Sequence, residues 1–447
     1  MAILALSTLG LFTDIAEVAL SNALAAIFLA PPHNLPRGSL SLLLASVFAG
    51  GAVGAPVFGL LGDRLGRRRA LQGSLALMAV GSIAAALSPG LLSLTIARAV
   101  SGFAIGGFPP LVATYLAEVM PPRRRGAMLT VCAGVGFLGG SAVILLVQAL
   151  APAEPLGIAP WRWALILGAV LAALAAVLFA RVPESPRWLA AAGRADEADS
   201  ACRRFERAAQ ARPALESSPI ASQSNTALSP RLDTLSSAEP VSTSSESARA
   251  GAGARLTERP VLRRTILFIA LYALAPWATL GFPLLSAVVL LDKGFRIDQS
   301  LTFAALSMLG PPIGTLLTAL VIDRLERRAC LAVMAGAMAI LGPAFAANEA
   351  FSTLVLIGIA FNTAAATYGA VLAVYATELL PTSLRASILT YAWAGGRIAS
   401  ALAPFVLLPA LAAYGPHGMF AVITAVLVAS VALLLAGPRG LSGKTIA

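Results

Sequence analysis

Charge is what this chain has least of. Only 12% of its 447 residues are Asp, Glu, Lys or Arg, against about a quarter in an ordinary soluble domain. Cysteine is equally scarce: Cys132, Cys202 and Cys330 are odd in number and share no paired spacing, which argues against a disulfide framework or a zinc site. The two histidines, His33 and His417, fall in separate loops and belong to no metal-ligand cluster, so they read as solvated surface residues. No Gly-Lys-Ser/Thr phosphate loop is present, and nothing points to catalysis, to ATP as an energy source, or to a cofactor.

Apolar residues fill the space that charge leaves. They make up 58% of the chain, mean hydropathy is +0.83, and apolar runs longer than about 18 residues recur throughout. A soluble enzyme of this length would need charge to coat two or three cores. The composition describes a polytopic membrane protein embedded in a lipid bilayer. The first run starts almost at Met1 without a basic leader; it is too long for a cleaved signal peptide and reads as an uncleaved span.

Reading apolar runs against breakers predicts twelve helices, at 3–30, 39–62, 70–88, 91–118, 126–150, 161–181, 263–291, 300–322, 329–347, 351–378, 385–412 and 416–437. Each run is continuously apolar, where a lipid-facing barrel strand would alternate. Residues 1–182 form a first half of six helices and residues 261–447 a second. Between them, 183–260 reads as a cytoplasmic loop: short surface helices to about Arg212, then a Ser/Ala/Pro-rich disordered linker from Pro213 to about Gly253.

The net charge of +11 comes as short clusters between spans, not as one face or tail, so no nucleic-acid partner is implied. Arg64 and Arg67 to Arg69, Arg123 to Arg125, Arg324, Arg327, Arg328 and Arg385 all fall on the side of the central loop. The opposite loops hold few basic residues: Arg37, Arg162, Lys293 and Arg296. Positive-inside bias therefore places both termini in the cytoplasm, and the membrane expected is the plasma (bacterial inner) membrane.

The two halves repeat one another. GDRLGRRR (Gly62–Arg69) matches IDRLERRA (Ile322–Ala329), and YLAEVMPPRRRG (Tyr115–Gly126) matches YATELLPTSLRA (Tyr375–Ala386). Asp63/Asp323, Arg64/Arg324, Arg67/Arg327, Glu118/Glu378 and Arg125/Arg385 all share one offset of 260 residues. The chain is thus an all-α membrane protein of two pseudo-symmetric six-helix halves, as in transporters whose halves rock about a central site.

At these residues the chain resembles the major facilitator superfamily. GLLGDRLGRRRAL (Gly59–Leu71) is similar to its signature loop between helices 2 and 3, and LTIARAVSG (Leu94–Gly102) to its helix-4 motif. PESPRWLAAAGRADEA (Pro183–Ala198) resembles the sugar-porter branch and its aromatic-acid and organic-ion neighbours. The resemblance implies gating contacts on the cytoplasmic side through Gly59, Asp63, Arg64, Arg67, Glu118, Arg125, Asp323, Arg324, Glu378 and Arg385. Gly59 would bring helix 2 close to helix 11, Asp63 would cap a helix N-terminus, and Arg64 and Arg67 would bind carboxylates such as Glu118. In the second half Glu326 and Ala319 replace the motif glycines, so that loop is expected to latch more weakly.

Ionisable groups inside the spans carry the functional reading, because each costs several kcal/mol there unless paired or hydrated. Asp14 and Glu17 share one face of helix 1, and Arg98 lies roughly 10 Å into helix 4. Glu17 with Arg98, and Asp14, are the proton-coupling candidates; the alternative is a permanent structural pair. Arg397, about 18 Å into helix 11, suits a bidentate clamp for a carboxylate or phosphate. Asn22, Tyr272, Trp277, Asn362, Tyr368, Tyr391 and Trp393 are further candidate substrate contacts, each weighed against a packing role.

Helix 7 lacks the paired glutamines with which sugar porters grip hydroxyls, and helix 5 lacks the proline of the antiporter motif. The expected activity is therefore proton-coupled uptake of a small organic anion, a carboxylate or aromatic acid, by a monomer. The alternatives are a sugar or polyol porter, a proton-coupled exporter, or a sensor or assembly component that no longer transports.

Overall fold

The computed structural model describes residues 2–121, 125–210, 259–321, 326–379 and 382–438. Every apolar run becomes helix, since backbone polar groups in lipid must be satisfied within their own segment. The first half holds α1 (Ala2–Leu29), α2 (Arg37–Leu65), α3 (Arg67–Ala86), α4 (Leu91–Val119), α5 (Arg125–Leu150) and α6 (Pro160–Phe179). Two surface helices follow, α7 (Pro186–Ala191) and α8 (Ala195–Gln210). Ser185 caps α7, its hydroxyl accepting from the Trp188 amide at 3.2 Å. The predicted Ser-rich linker lies outside the described residues.

The second half departs from six simple rods. Its first two spans are each broken: α9 (Arg259–Thr279) with α10 (Gly281–Asp292), then α11 (Ile297–Ser307) with α12 (Gly310–Val321). After α13 (Arg327–Ala347) and α14 (Phe351–Leu379), the last two predicted spans are one helical run, α15 (Thr382–Ala436). It turns back only at Gly415, whose φ of 64° and ψ of −164° suit glycine alone, just before Pro416. Among the described residues eleven helical stretches are long and apolar enough to span a membrane, and the last of them, folded back at Gly415, corresponds to two of the predicted spans.

Proline chemistry accounts for the breaks. Pro311 has no N–H for the carbonyl four residues back, that of Ser307. Asn362 of α14 supplies the missing donor, its Nδ2 reaching the Ser307 carbonyl at 3.0 Å. Pro283 sits just inside α10 and breaks α9 from it in the same way.

Within the first half α2 packs along α4 and α3 along α4 and α6. In the second half Phe282 is ringed by Phe303, Phe345, Phe361 and Phe420, tying α10, α11, α13, α14 and α15 together with centroids 4.7–6.5 Å apart. The halves meet where α1 touches α10 and α11, α2 touches α15, and α5 touches α11 and α12. Hydrogen bonds between halves gather on the face opposite the chain termini. Arg37 pairs with Asp292 at 2.8 Å, Ser41 donates to the Pro404 carbonyl at 3.1 Å, and Gln148 donates to Thr302 at 2.7 Å.

Candidate functional site

The most deeply buried charges form one cluster in the first half. Arg98 is 1% exposed and Glu17 3%. One guanidinium nitrogen of Arg98 donates to the Glu17 carboxylate. Another donates to the Glu17 carbonyl at 2.6 Å and to the Ser21 hydroxyl at 2.9 Å. The second carboxylate oxygen of Glu17 accepts from Ser82 of α3. Three helices thus converge on one ion pair, and both oxygens of Glu17 are satisfied. Ser21 and Ser82 were not singled out in the sequence, where serines are too common to carry a signal.

Asp14, one turn earlier on α1, is arranged differently. It is 3% exposed, and its Oδ1 has no hydrogen-bond partner. Twelve residues from the start of α1, it lies about 18 Å along the helix, near mid-span. Across the interface between halves stands Arg397 of α15, close enough that the two charges act on one another. Arg397 rests over the Trp393 ring with its Cζ 5.1 Å from the centroid, a cation–π contact. Its stem lies against Gly51 of α2, and it is half-buried. Among the described residues no carboxylate forms an ion pair with it.

The remaining span candidates divide. Asn22 uses both ends of its amide on α10: Nδ2 donates to the Pro283 carbonyl at 2.7 Å and to Ser286 at 2.9 Å, while Oδ1 accepts from the Ala287 amide at 3.2 Å. It fastens the halves together. Asn362 bonds the broken backbone of span 8, with Oδ1 left unpartnered. Tyr368 is fully buried, Tyr272 and Trp277 pack against the core, and Tyr391 points outward, 71% exposed.

On the terminus-bearing face the signature loop forms the expected kind of contact with altered roles. Arg67 pairs with Asp63 one turn away and with Glu118 of α4 at 3.3 Å. The expected helix cap is not Asp63 but Glu184, whose carboxylate accepts from the Arg68 backbone amide at 3.0 Å and 3.2 Å. Trp188 covers it, donating to the Asp63 carbonyl at 2.8 Å. Arg64 is exposed and meets no carboxylate among the described residues. Gly59 faces open space; at Gly51, further along α2, the close approach is to the backbone of α4 at Gly102 and Gly106, with the Arg397 side chain of α15 beside it. In the second half Arg327 pairs with Glu378 at 3.1 Å, so the latch expected to be weaker is formed at this position. Arg125 opens α5 with its Nε unpartnered. Asp323 and Arg324 lie outside the described residues, as does the side chain of Arg385.

The fold and these motifs meet in one family. The family model described as sugar (and other) transporter matches residues 15–437. This chain belongs to the sugar (and other) transporter family. It is 27% identical to the niacin transporter NiaP of Acinetobacter baylyi over 404 residues, 89% of this chain and 85% of that protein. It is 37% identical to the arabinose-proton symporter of Bacillus subtilis over 174 residues, 38% of each chain. Its backbone is similar to the xylose transporter XylE of Escherichia coli in a partially occluded inward-open conformation, with a TM-score of 0.75 at 19% identity, covering 100% of this chain and 99% of that one. The chain is a secondary transporter and an integral membrane protein of the major facilitator superfamily.

Proposed function

We propose that this transporter carries a small organic anion, a carboxylate or aromatic acid, into the cell together with a proton. One observation carries the reading: Arg397 makes no carboxylate ion pair among the described residues, while the buried, unpartnered Asp14 of the other half lies within reach of its charge. With Asp14 ionised, its charge offsets that of Arg397 and disfavours a second anion. A proton on Asp14 removes that counter-charge, and the guanidinium then favours an incoming carboxylate. Proton and anion therefore enter as a neutral pair, which is the least costly way to carry charge through a low-dielectric interface.

The relationship to a niacin transporter over most of the chain supports the substrate class, niacin being a carboxylic acid. The shared segment with an arabinose-proton symporter supports proton coupling. Arginine-rich loops favour a cytoplasmic position for the termini in the bacterial inner membrane. In that orientation the hydrogen bonds between halves close the outer side and the site faces inward.

The family match also favours a second reading, a sugar or polyol porter. Proteoliposome uptake under an inward proton gradient separates the two. Labelled nicotinate or benzoate should accumulate, and excess arabinose or xylose should not compete. Arg397→Ala should reduce uptake at least about thirtyfold, the loss expected for a guanidinium–carboxylate contact closed off from water, and Asp14→Asn should make the remaining uptake indifferent to the gradient. Accumulation of the sugar alone would replace the anion reading with the porter. Acid uptake that ignores the gradient in the unaltered protein would remove proton coupling.

A further inference from the structure

The two halves share a backbone device at their terminus-bearing ends but differ in the basic residues beside it. In the first half Tyr115 donates to the Pro183 carbonyl at 2.6 Å and Arg68 to that of Val182 at 3.1 Å. In the second, Tyr375 donates to the Pro438 carbonyl and Arg328 to that of Gly437 at 3.0 Å. Pro183 is followed by Glu184, the carboxylate that caps α3. Pro438 is followed by Arg439. The α1 positions that correspond to Arg263 and Arg264 of α9 are Ile3 and Leu4. The second half keeps an acid of its own, Glu326, 3.8 Å from Arg328, and α9 adds two arginines that α1 lacks.

Arg263 and Arg264 border a cavity of about 460 Å³ between α9 and the end of α15, lined also by Ile266, Leu267 and Leu433 among others, with no acidic residue among the described residues of its wall. Arg263 makes one long bond, to the Ala436 carbonyl at 3.4 Å, and Arg264 one to the Leu379 carbonyl at 3.3 Å. Each guanidinium has five N–H donors, so most remain for a ligand. Leu262 and Ile266, beside the arginines, are 45% and 58% exposed and continue the apolar wall outward. Paired arginines at the edge of the span, with an apolar surface running from them toward mid-membrane, match a phosphate with an acyl tail.

We propose that this cavity binds the phosphate headgroup of an anionic membrane lipid, with Arg263 and Arg264 as its clamp. Its acyl chain lies along Ile266 and Leu433. The test is native mass spectrometry of the full chain in detergent, titrated with phosphatidylglycerol, with phosphatidylcholine and with inorganic phosphate. Phosphatidylglycerol should bind the unaltered protein in preference to phosphatidylcholine. Arg263→Gln with Arg264→Gln should weaken that binding by roughly 30-fold, taking about fivefold per arginine near a membrane surface, whereas the control Arg296→Gln on the opposite face should not. Lys at both positions, which keeps the charge if the Gln pair does not fold, should retain binding within about tenfold. Equal binding of the two lipids by the unaltered protein, or affinity unchanged in the Gln pair, would overturn the site. Displacement of the lipid by millimolar inorganic phosphate would assign the clamp to a free anion and overturn the lipid.

Discussion

Glu17 and Arg98 are nearly inaccessible, and each is the other's compensation. Removing the arginine leaves a carboxylate among apolar helices, which typically costs about 3–5 kcal/mol. Neutralising Glu17 is milder, because a glutamine retains an oxygen for Arg98 and stays beside Ser82. Thermal unfolding in detergent should therefore rank Arg98→Leu far below Glu17→Gln, and adding Glu17→Gln to Arg98→Leu should recover much of the loss. If the double change were no more stable than Arg98→Leu alone, the pair would not be the compensated unit described here. This cluster was legible in the sequence because intramembrane charges are few and each demands a partner. Ser21 and Ser82 were not, since only the approach of α1, α3 and α4 distinguishes them from other serines. Glu184 was hidden for another reason: it lies in the loop after α6, 116 residues from the backbone amide that it caps.

Small residues decide how elements meet. A methyl added at Gly106 of α4 would run into the backbone of Gly51 on α2, whereas one added at Gly134 of α5 would meet nothing within 4 Å. Overpacking of this kind costs about 1–3 kcal/mol, and a glycine-to-alanine change in an open helix gains up to about 1 kcal/mol. Gly106→Ala should accordingly lower the melting temperature while Gly134→Ala leaves it level or raises it; the same shift from both would deny that α2 and α4 are in backbone contact. The positions and lengths of the spans were readable from apolar runs to within a few residues. Their internal breaks were not, although Pro283, Pro311 and Pro312 were in view, because prolines also sit inside unbroken helices here, as Pro109 and Pro110 do in α4. What distinguishes Pro311 is Asn362, which arrives from another helix to take up the stranded carbonyl. The Gly415 turn joins two spans so tightly that three residues separated them in the sequence reading and a single non-helical residue does in the fold.

For the whole molecule the question is what holds one arrangement of the halves against another. The contacts Arg37–Asp292, Asn22 with α10, Ser41–Pro404 and Gln148–Thr302 all lie toward the face opposite the termini. In the proposed cycle these would break together while the halves close on the other face about Asp14 and Arg397. The repeat at offset 260 made two rocking halves foreseeable, but it could not show which face is closed, since both arrangements obey the same sequence symmetry. Of these contacts Arg37–Asp292 is the most exposed, with side chains 30% and 20% accessible, so its own contribution is modest, up to about 1 kcal/mol. A bias of that size still changes the ratio of two nearly balanced states up to about fivefold. Reversing one charge, as Arg37→Asp or Asp292→Arg, adds repulsion and should shift the population toward the arrangement open on this face. A cysteine introduced at Ser286 should then react faster with a membrane-impermeant thiol reagent. The exchanged pair, Arg37→Asp with Asp292→Arg, restores opposite charges at the same place and should return the reactivity to its starting value. If the exchange failed to restore it while both single reversals raised it, the two residues would act through separate partners, and the clasp would rest on Asn22 and its neighbours alone.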